Sequence, residues 1–322
     1  MLSQANMSLM IPLNSKILIT GGKGLVGSAL IAELGNQGYT NLTPLTRQCC
    51  DLTNFEEVKS LFSTIKPDVV FHMAASVFGV GGNAKNPATI FLDNILMNTH
   101  VIEASRQVEV AKIVAMGTVA AYPHPKIIPI KEDHIWDGPP HKSESSYGHA
   151  KRAMLAQLLA YQENYGLDFS YVISTNLYGP GDKFDIQQGH VIPSLIRKFY
   201  EAKKTNSEVV IWGDGSAARD FLYSKDMARA LVLVMNQHSG LINIASGTKT
   251  MIKDVVSFLS DYFDMHKNVR WDNRMPNGRQ FYEIDLHNLK SLGFIPQYTI
   301  QSGLRETLEW FGLKYEEKLI RC

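Results

Sequence analysis

The sequence predicts an α/β protein, a doubly wound parallel sheet followed by a smaller C-terminal α/β lobe. Three observations carry this. Apolar runs alternate with amphipathic helical stretches through the first half of the 322 residues. The runs are apolar throughout rather than at alternate positions, as strands covered on both faces require. After Tyr178-Gly179-Pro180-Gly181 the rhythm changes, and shorter elements follow.

Lys16–Thr20 (KILIT) reads as a buried strand, and Leu25–Leu34, after a run of glycines, as an amphipathic helix. Leu42–Leu45 is a short strand. Asn54–Ile65 has helical spacing, with Asn54 or Thr53 as its cap. Asp68–Ala75 is a further strand, Pro87–Val108 a long helix, Lys112–Thr118 a strand, Ser145–Tyr165 a helix and Phe169–Asn176 a strand. Beyond Gly181 the pattern gives a helix over His190–Lys204, a strand over Val209–Trp212, a loop, and a helix over Ser224–Met235. A strand over Leu241–Ala245, a helix near Lys253–Phe263, a strand near Val269–Trp271 and a closing helix over Ile300–Phe311 complete the chain.

This organisation predicts a flexible N-terminal extension over residues 1–14 and a dinucleotide-binding domain over 15–180. Residues 181–322 form mainly a substrate-binding lobe, with some segments returning to the first domain. Such a lobe belongs over the carboxyl ends of the strands, where open α/β sheets bind ligands.

Lys and Arg number 32 against 31 Asp and Glu. That balance leaves no basic stripe for nucleic acid or a membrane surface. No run approaches a membrane span. The N-terminus has neither a charged region nor a sustained apolar core, so it is a poor secretory signal. Cys49, Cys50 and Cys322 make neither a disulfide framework nor a zinc site, and a reducing, cytoplasmic setting is the default expectation.

The chemistry begins at Thr20-Gly21-Gly22-Lys23-Gly24-Leu25-Val26-Gly27, between the first strand and the first helix. Gly21 permits the tight turn, Gly24 lets the backbone approach a pyrophosphate, and Gly27 brings the helix close to the sheet. The helix N-terminus adds free N–H groups and a favourable dipole. This is a Rossmann-type dinucleotide signature. The second strand ends in Leu45-Thr46-Arg47-Gln48, without the acid that binds the ribose of NAD. Arg47 can pair with a 2′-phosphate, with Thr46 and Lys23 beside it, which points to NADPH/NADP+. The competing reading makes Arg47 a solvated loop charge. Asp51, followed by Leu52, is either an adenine contact or structural. Ala74 and Ala75 are small enough for a cofactor to pass closely.

Tyr147 and Lys151 stand four apart on a predicted helix and share a face. A neighbouring ammonium lowers a phenol from its usual pKa of about 10, making it a usable proton donor to a carbonyl that receives hydride. Thr118, at the end of KIVAMGT, places a hydroxyl for the same oxygen. The three parts arrive in the order glycine turn, hydroxyl, Tyr/Lys helix.

On the stretches ITGGKGLVG, EDHIWDGPPHKSESSYGHAKR, STNLYGPGDKFDIQQGHVIPSLI and VVIWGDGSAARDFLYSKDMA, the chain resembles the extended short-chain dehydrogenase/reductases. More narrowly it resembles the GDP-L-fucose synthases, which are 3,5-epimerase-4-reductases of GDP-4-keto-6-deoxy-mannose. The resemblance runs from about Lys16 to about Phe311. It implies that Thr118, Tyr147 and Lys151 are the catalytic hydroxyl, tyrosine and lysine, and that Arg47 reads the cofactor phosphate. It makes Asn176 part of a substrate-side loop, His190, followed by Val191, the epimerisation acid, and Trp212 and Arg219 walls of the nucleotide diphosphate site. Read from the residues alone, the competing reading of His190 is a capping or packing histidine, and that of Trp212 is a core aromatic. The resemblance also implies a homodimer through the helices Pro87–Val108 and Ser145–Tyr165.

The chain departs from that family in three places. The family's epimerisation base is a cysteine two residues after the catalytic hydroxyl, and here that residue is Ala120, which cannot abstract a proton. A family arginine is matched by Lys198, beside Arg197. A family lysine is matched by Tyr282, with Arg279 near enough in sequence to compensate. The expectation is an NADPH-dependent 4-ketoreductase of a nucleotide-diphosphate sugar, a GDP-linked 4-keto-6-deoxy sugar, with weak or absent epimerisation. The alternatives are a bifunctional GDP-L-fucose synthase and a non-catalytic NADP-binding protein.

Overall fold

The computed structural model describes residues 10–77, 86–187, 189–275 and 281–320. Its centre is a six-stranded parallel sheet. The strands are β1 (Ile17–Thr20), β2 (Leu42–Leu45), β3 (Val69–His72), β4 (Lys112–Met116), β5 (Phe169–Ser174) and β9 (Gly240–Ile244), in spatial order β2-β1-β3-β4-β5-β9. The chain runs from β1 outward to β2 and then back across to β3. The carboxyl ends of β1 and β3 therefore flank the switch point at which open α/β sheets bind ligands. Pro44 sits in β2, an edge strand, where a missing N–H is tolerated.

Alternate strand residues serve opposite faces. Leu18 of β1 joins Val58, Phe62, Val101, Met154 and Leu158 in one core, under α2 (Phe55–Ile65), α3 (Pro87–Gln107) and α4 (Ser145–Tyr165). Its neighbours Ile17 and Ile19 join Leu30, Leu34, Leu231 and Met235 in the other, under α1 (Leu25–Asn36) and α6 (Ser224–Gln237). Of the two candidate caps, Asn54 is the one used: its Oδ1 accepts from the Glu56 and Glu57 amides at 3.1 and 3.5 Å.

The second lobe holds a third core around Phe184, Phe199, Leu259 and Phe311. Here α5 (Val191–Thr205), α7 (Ile252–Phe263) and α8 (Ile300–Glu316) pack with two small sheets. One pairs β7 (Val209–Trp212) with β11 (Val269–Asp272), and the other has the order β10 (Lys249–Met251), β8 (Ala218–Tyr223), β6 (Asn176–Tyr178). Strand β9 returns to the main sheet from this half of the sequence. It is fastened by Lys112 Nζ, which donates to Asp168 Oδ2 at 2.8 Å and to the His238 carbonyl at 2.6 Å.

Several expectations are corrected. The run to Asn176 is two strands: β5 stops at Ser174, and β6 (Asn176–Tyr178) pairs with β8 (Ala218–Tyr223) in another sheet. Strand β8 occupies the stretch expected to be a loop. Arg219 and Asp220 disguise it, and its pairing with β6 and with β10 (Lys249–Met251) is long-range, invisible to local pattern. Strands β3 and β4 stop short, at His72 and Met116, freeing residues 73–77 and 117–118 to line a cleft. The expected N-terminal extension is tied down before Asn14: the Ile11 amide donates to Asn236 Oδ1 at 2.9 Å, and Tyr39 Oη donates to the Ile11 carbonyl at 3.1 Å. Among the described residues no helix is long and apolar enough to cross a membrane.

Candidate active site

The carboxyl ends of the main sheet and the facing second lobe enclose a cleft of about 1140 Å³. That exceeds the roughly 300–1,000 Å³ of most ligand pockets and suits two ligands end to end. Every described residue proposed for the site from sequence lines it. Arg279 lies outside the described residues.

One end of the cleft is the glycine turn. Gly21 takes φ +70°, and a side chain there would meet the Ala74 amide at 3.0 Å; a Cβ on Gly27 would meet the Gly21 carbonyl at 2.3 Å. Helix α1 can therefore start against the turn, with Gly24, Leu25 and Val26 facing the cleft. Its first amides point at the space where a pyrophosphate fits. Lys23 and Arg47 are exposed at this end, beside Thr46. Leu52 is 8% exposed and offers an apolar wall, while Ala74 and Ala75 line the passage beyond β3. Asp51 is structural at one oxygen. Its Oδ1 accepts from the Thr53 amide at 3.0 Å and the Thr53 hydroxyl at 2.8 Å, and these bonds hold the carboxyl below its ordinary pKa.

The middle of the cleft carries Thr118, Tyr147 and Lys151. Thr118 heads a short 3-10 turn, Val119–Ala121, and its Oγ1 accepts from the Ala120 amide at 3.1 Å. The hydroxyl proton is then directed elsewhere, as a donor to a substrate oxygen needs. Lys151 is 1% exposed, and its Nζ stands 5.8 Å from the centre of the Tyr147 ring. Arg152 ties this helix to the Thr118 loop, donating Nε to the Ala121 carbonyl at 2.7 Å and Nη1 to the Gly138 carbonyl at 2.5 Å.

The electrostatics differ from the expectation. Burial, helped by the nearby Glu144 carboxylate, pushes the Tyr147 phenol well above its usual value rather than below it. Burial also draws Lys151 down to about 7. Removal from water dominates both shifts. Among the described residues no hydrogen bond or ion pair reaches Lys151 Nζ. A buried ammonium of this kind matches the hydroxyls and negative charge of a dinucleotide, so the residues present fit such a cofactor.

The far end is lined by the second lobe. His190 is exposed at the N-cap position of α5, and its side chain makes no capping hydrogen bond, which removes the capping reading. Val191 follows it on the wall. Trp212 is 59% exposed, which removes the core-aromatic reading. Lys198 is half-buried, donates Nζ to the Val210 carbonyl at 3.1 Å, and is lowered by burial. Arg219 donates Nη1 to its neighbour's carbonyl on Ala218 at 2.6 Å. Asn176, on the cleft wall, donates Nδ2 to the Asp220 carbonyl at 3.1 Å. Tyr282 and His124 share a hydrogen bond of 2.7 Å and an edge-to-face contact.

Ala120 is 4% exposed and carries only a methyl where the resemblance expects a thiol. Sequence reasoning missed Glu144, Tyr122, Asp182 and Phe281, which also line the cleft. Glu144 stands three residues before Tyr147 and was legible as a neighbour. The others depend on how loops cross the sheet.

A family model described as the NAD dependent epimerase/dehydratase family matches residues 17–245. The chain is 36% identical over 307 residues to "Putative GDP-L-fucose synthase 2" of Arabidopsis thaliana, covering 94% of both chains. It superposes with a TM-score of 0.89 on an NADP-bound GDP-L-fucose synthetase from Naegleria fowleri, at 30% identity over 98% of this chain and 99% of that one. A GDP-mannoheptose C4 reductase from Campylobacter jejuni with NADP bound superposes at 0.82, with 28% identity over 94% and 99%.

Proposed function

We propose, from the premise that the chain belongs to the NAD dependent epimerase/dehydratase family, as an extended short-chain dehydrogenase/reductase similar to GDP-L-fucose synthases, that it is an NADPH-dependent 4-ketoreductase of a GDP-linked 4-keto-6-deoxy sugar. Epimerisation is weak or absent. The observation that carries this reading is the meeting of Thr118, Tyr147 and Lys151 in one cleft with the glycine turn, beside the methyl of Ala120. A GDP-linked sugar is the shared substrate class of the relatives' names, and NADP is named with two of the structures.

Bound NADPH supplies hydride to the carbonyl carbon. Tyr147 delivers a proton to the carbonyl oxygen, and its raised pKa keeps that proton in place at neutral pH. Thr118 donates to the same oxygen and fixes its position. Lys151 holds the cofactor's ribose end and, while charged, stabilises the phenolate left on Tyr147. Arg47, Thr46 and Lys23 hold the 2′-phosphate. Lys198 and Arg219 face the substrate diphosphate, with Trp212 against the nucleotide.

Proton abstraction next to a carbonyl needs a base, and a methyl is none. His190 reaches the same cleft and favours a second reading, in which one ring centre is still exchanged. The test is turnover of GDP-, dTDP- and CDP-4-keto-6-deoxy sugars with NADPH in deuterium oxide. The reading expects NADPH oxidation with the GDP sugar and no deuterium at C3 or C5. Deuterium at either centre favours the bifunctional reading, and a silent panel contradicts both.

The homodimer belongs to this proposal. Helices α3 and α4 expose Phe91, Leu92, Leu159 and Tyr165, an apolar set on the helices the resemblance places at the interface. Sedimentation at micromolar concentration is expected to give a dimer, and a monomer alone contradicts it.

A further inference from the structure

A line of buried polar groups crosses the sheet beneath the cleft, and the reaction proposed above assigns it no part. The amides of Met73 and Ala74 each donate to Thr20 Oγ1 at 3.1 Å. Thr20 Oγ1 lies 2.9 Å from His72 Nδ1, and His72 Nε2 lies 2.9 Å from Asn98 Oδ1. Asn98 Nδ2 donates to the Ala150 carbonyl at 3.4 Å. Thr20 and His72 are fully buried and Asn98 is 1% exposed.

These contacts fix the direction of every proton. Thr20 Oγ1 accepts twice, so its own proton goes to His72 Nδ1. Asn98 presents its amide nitrogen to a carbonyl, so its oxygen faces the imidazole and accepts from Nε2–H. The imidazole is thereby the neutral Nε2–H form. A second proton, on Nδ1, would confront a hydroxyl that has already spent both acceptor positions. Lys151, on α4, is the charged group facing this imidazole, whereas β1 and α3 present the uncharged Thr20 and Asn98, and β4 pairs Ala115 with it. Burial and that neighbouring charge draw the imidazole down to about 3.

The two ends of the line are functional places. Met73 and Ala74 follow β3 and face the glycine turn, with the Ala74 amide against Gly21. Ala150 immediately precedes Lys151. We propose that His72, as a neutral imidazole, is a positioning residue that joins the cofactor turn to the Tyr147/Lys151 helix and sets the register of Lys151 against a bound dinucleotide. This deepens the reductase reading and rests on it. A carboxylate or a charged imidazole in the same place would alter Lys151 electrostatically, whereas neutral His72 transmits only geometry. The imidazole spans the gap because its two nitrogens lie on opposite sides of a rigid ring, so each end of the line depends on a different atom.

Two amide substitutions separate those atoms. In His72→Gln the side-chain nitrogen reaches the Nε2 position and still donates to Asn98. In His72→Asn the side chain reaches only the Nδ1 position, and the link to the catalytic helix is lost. With NADPH and the GDP-4-keto sugar, His72→Gln is expected to keep kcat within about 3-fold of the native enzyme. His72→Asn is expected to lose about 10-fold or more in kcat, with the pH profile of kcat displaced. Equal kcat values for the two variants overturn the proposal, as does an unmoved pH profile in His72→Asn.

Imidazole nitrogen NMR of the native protein supplies a readout that needs neither turnover nor a variant that folds. It is expected to show His72 neutral in the Nε2–H form from pH 5 to 8. A charged ring or the Nδ1–H form contradicts the relay. If the native protein reduces none of the keto sugars, the reaction assignment fails, and the spectrum still judges the relay separately.

Discussion

Lys151 Nζ lies 5.8 Å from the centre of the Tyr147 ring, one helical turn away, at the middle of a cleft whose end is the glycine turn. Both groups are penalised by burial, the phenol upward and the ammonium down to about 7. The pair is therefore poised rather than ionised, and the negative charge of a dinucleotide restores the ammonium.

The consequence for binding has a definite sign. Without bound cofactor Lys151 is largely deprotonated above pH 7. A bound anion raises its pKa, so binding takes up protons between about 7 and the raised value, and affinity falls as pH rises through that window. Calorimetry of NADPH binding at pH 8, in buffers of different ionisation heat, is expected to show proton uptake. No uptake, or tighter binding at higher pH, would count against this.

Arg47 tests the cofactor assignment. Its replacement by alanine removes a charge-assisted contact worth about 1.5–3 kcal/mol. NADPH affinity is expected to fall about 10- to 100-fold, with NADH binding nearly unchanged. An unchanged NADPH affinity would return Arg47 to a solvated loop charge.

Ala120→Cys tests the reason for the missing epimerisation. The native enzyme is expected to leave C3 and C5 unexchanged in deuterium oxide. The variant places a thiol beside Thr118 and is expected to introduce exchange. Exchange in the native enzyme at the variant's rate would show that another base operates.

His72 also leaves a mark on stability. Its unfolded pKa is about 6.5 and its folded value about 3. The unfolded chain binds the extra proton between these limits, so the contribution is full above 6.5 and is lost as pH falls toward 3. The slope from this one group is at most about 1.4 kcal/mol per pH unit. Acid denaturation of His72→Gln is expected to be shallower than that of the native protein across this window. Identical slopes would mean that the imidazole is not held neutral.

Much of this was legible in the sequence because it is local. KILIT followed by glycines, and Tyr147 four residues before Lys151, carry their meaning within one turn or helix. The runs Leu42–Leu45, Ser145–Tyr165 and Val209–Trp212 have the bounds that pattern gave them. What was not legible depends on distant partners. Strand β8 looks like a loop until β6 and β10 pair with it, and Asn176 looks like the end of β5 until that strand is broken at Ser174. The direction of the Tyr147 shift was misjudged because the spacing shows the ammonium but not the burial that outweighs it. His72 reads as the polar end of an apolar strand, and only the fold brings Thr20 and Asn98 to its two nitrogens.

The reduction depends most directly on proton delivery by Tyr147. The deciding measurement is NADPH oxidation with a GDP-4-keto-6-deoxy sugar by the native enzyme and by Tyr147→Phe, with NADPH affinity measured on both. The expected result is turnover by the native enzyme, a loss of about 100- to 10,000-fold in the variant, and equal NADPH affinity. Comparable turnover by the two proteins would contradict it.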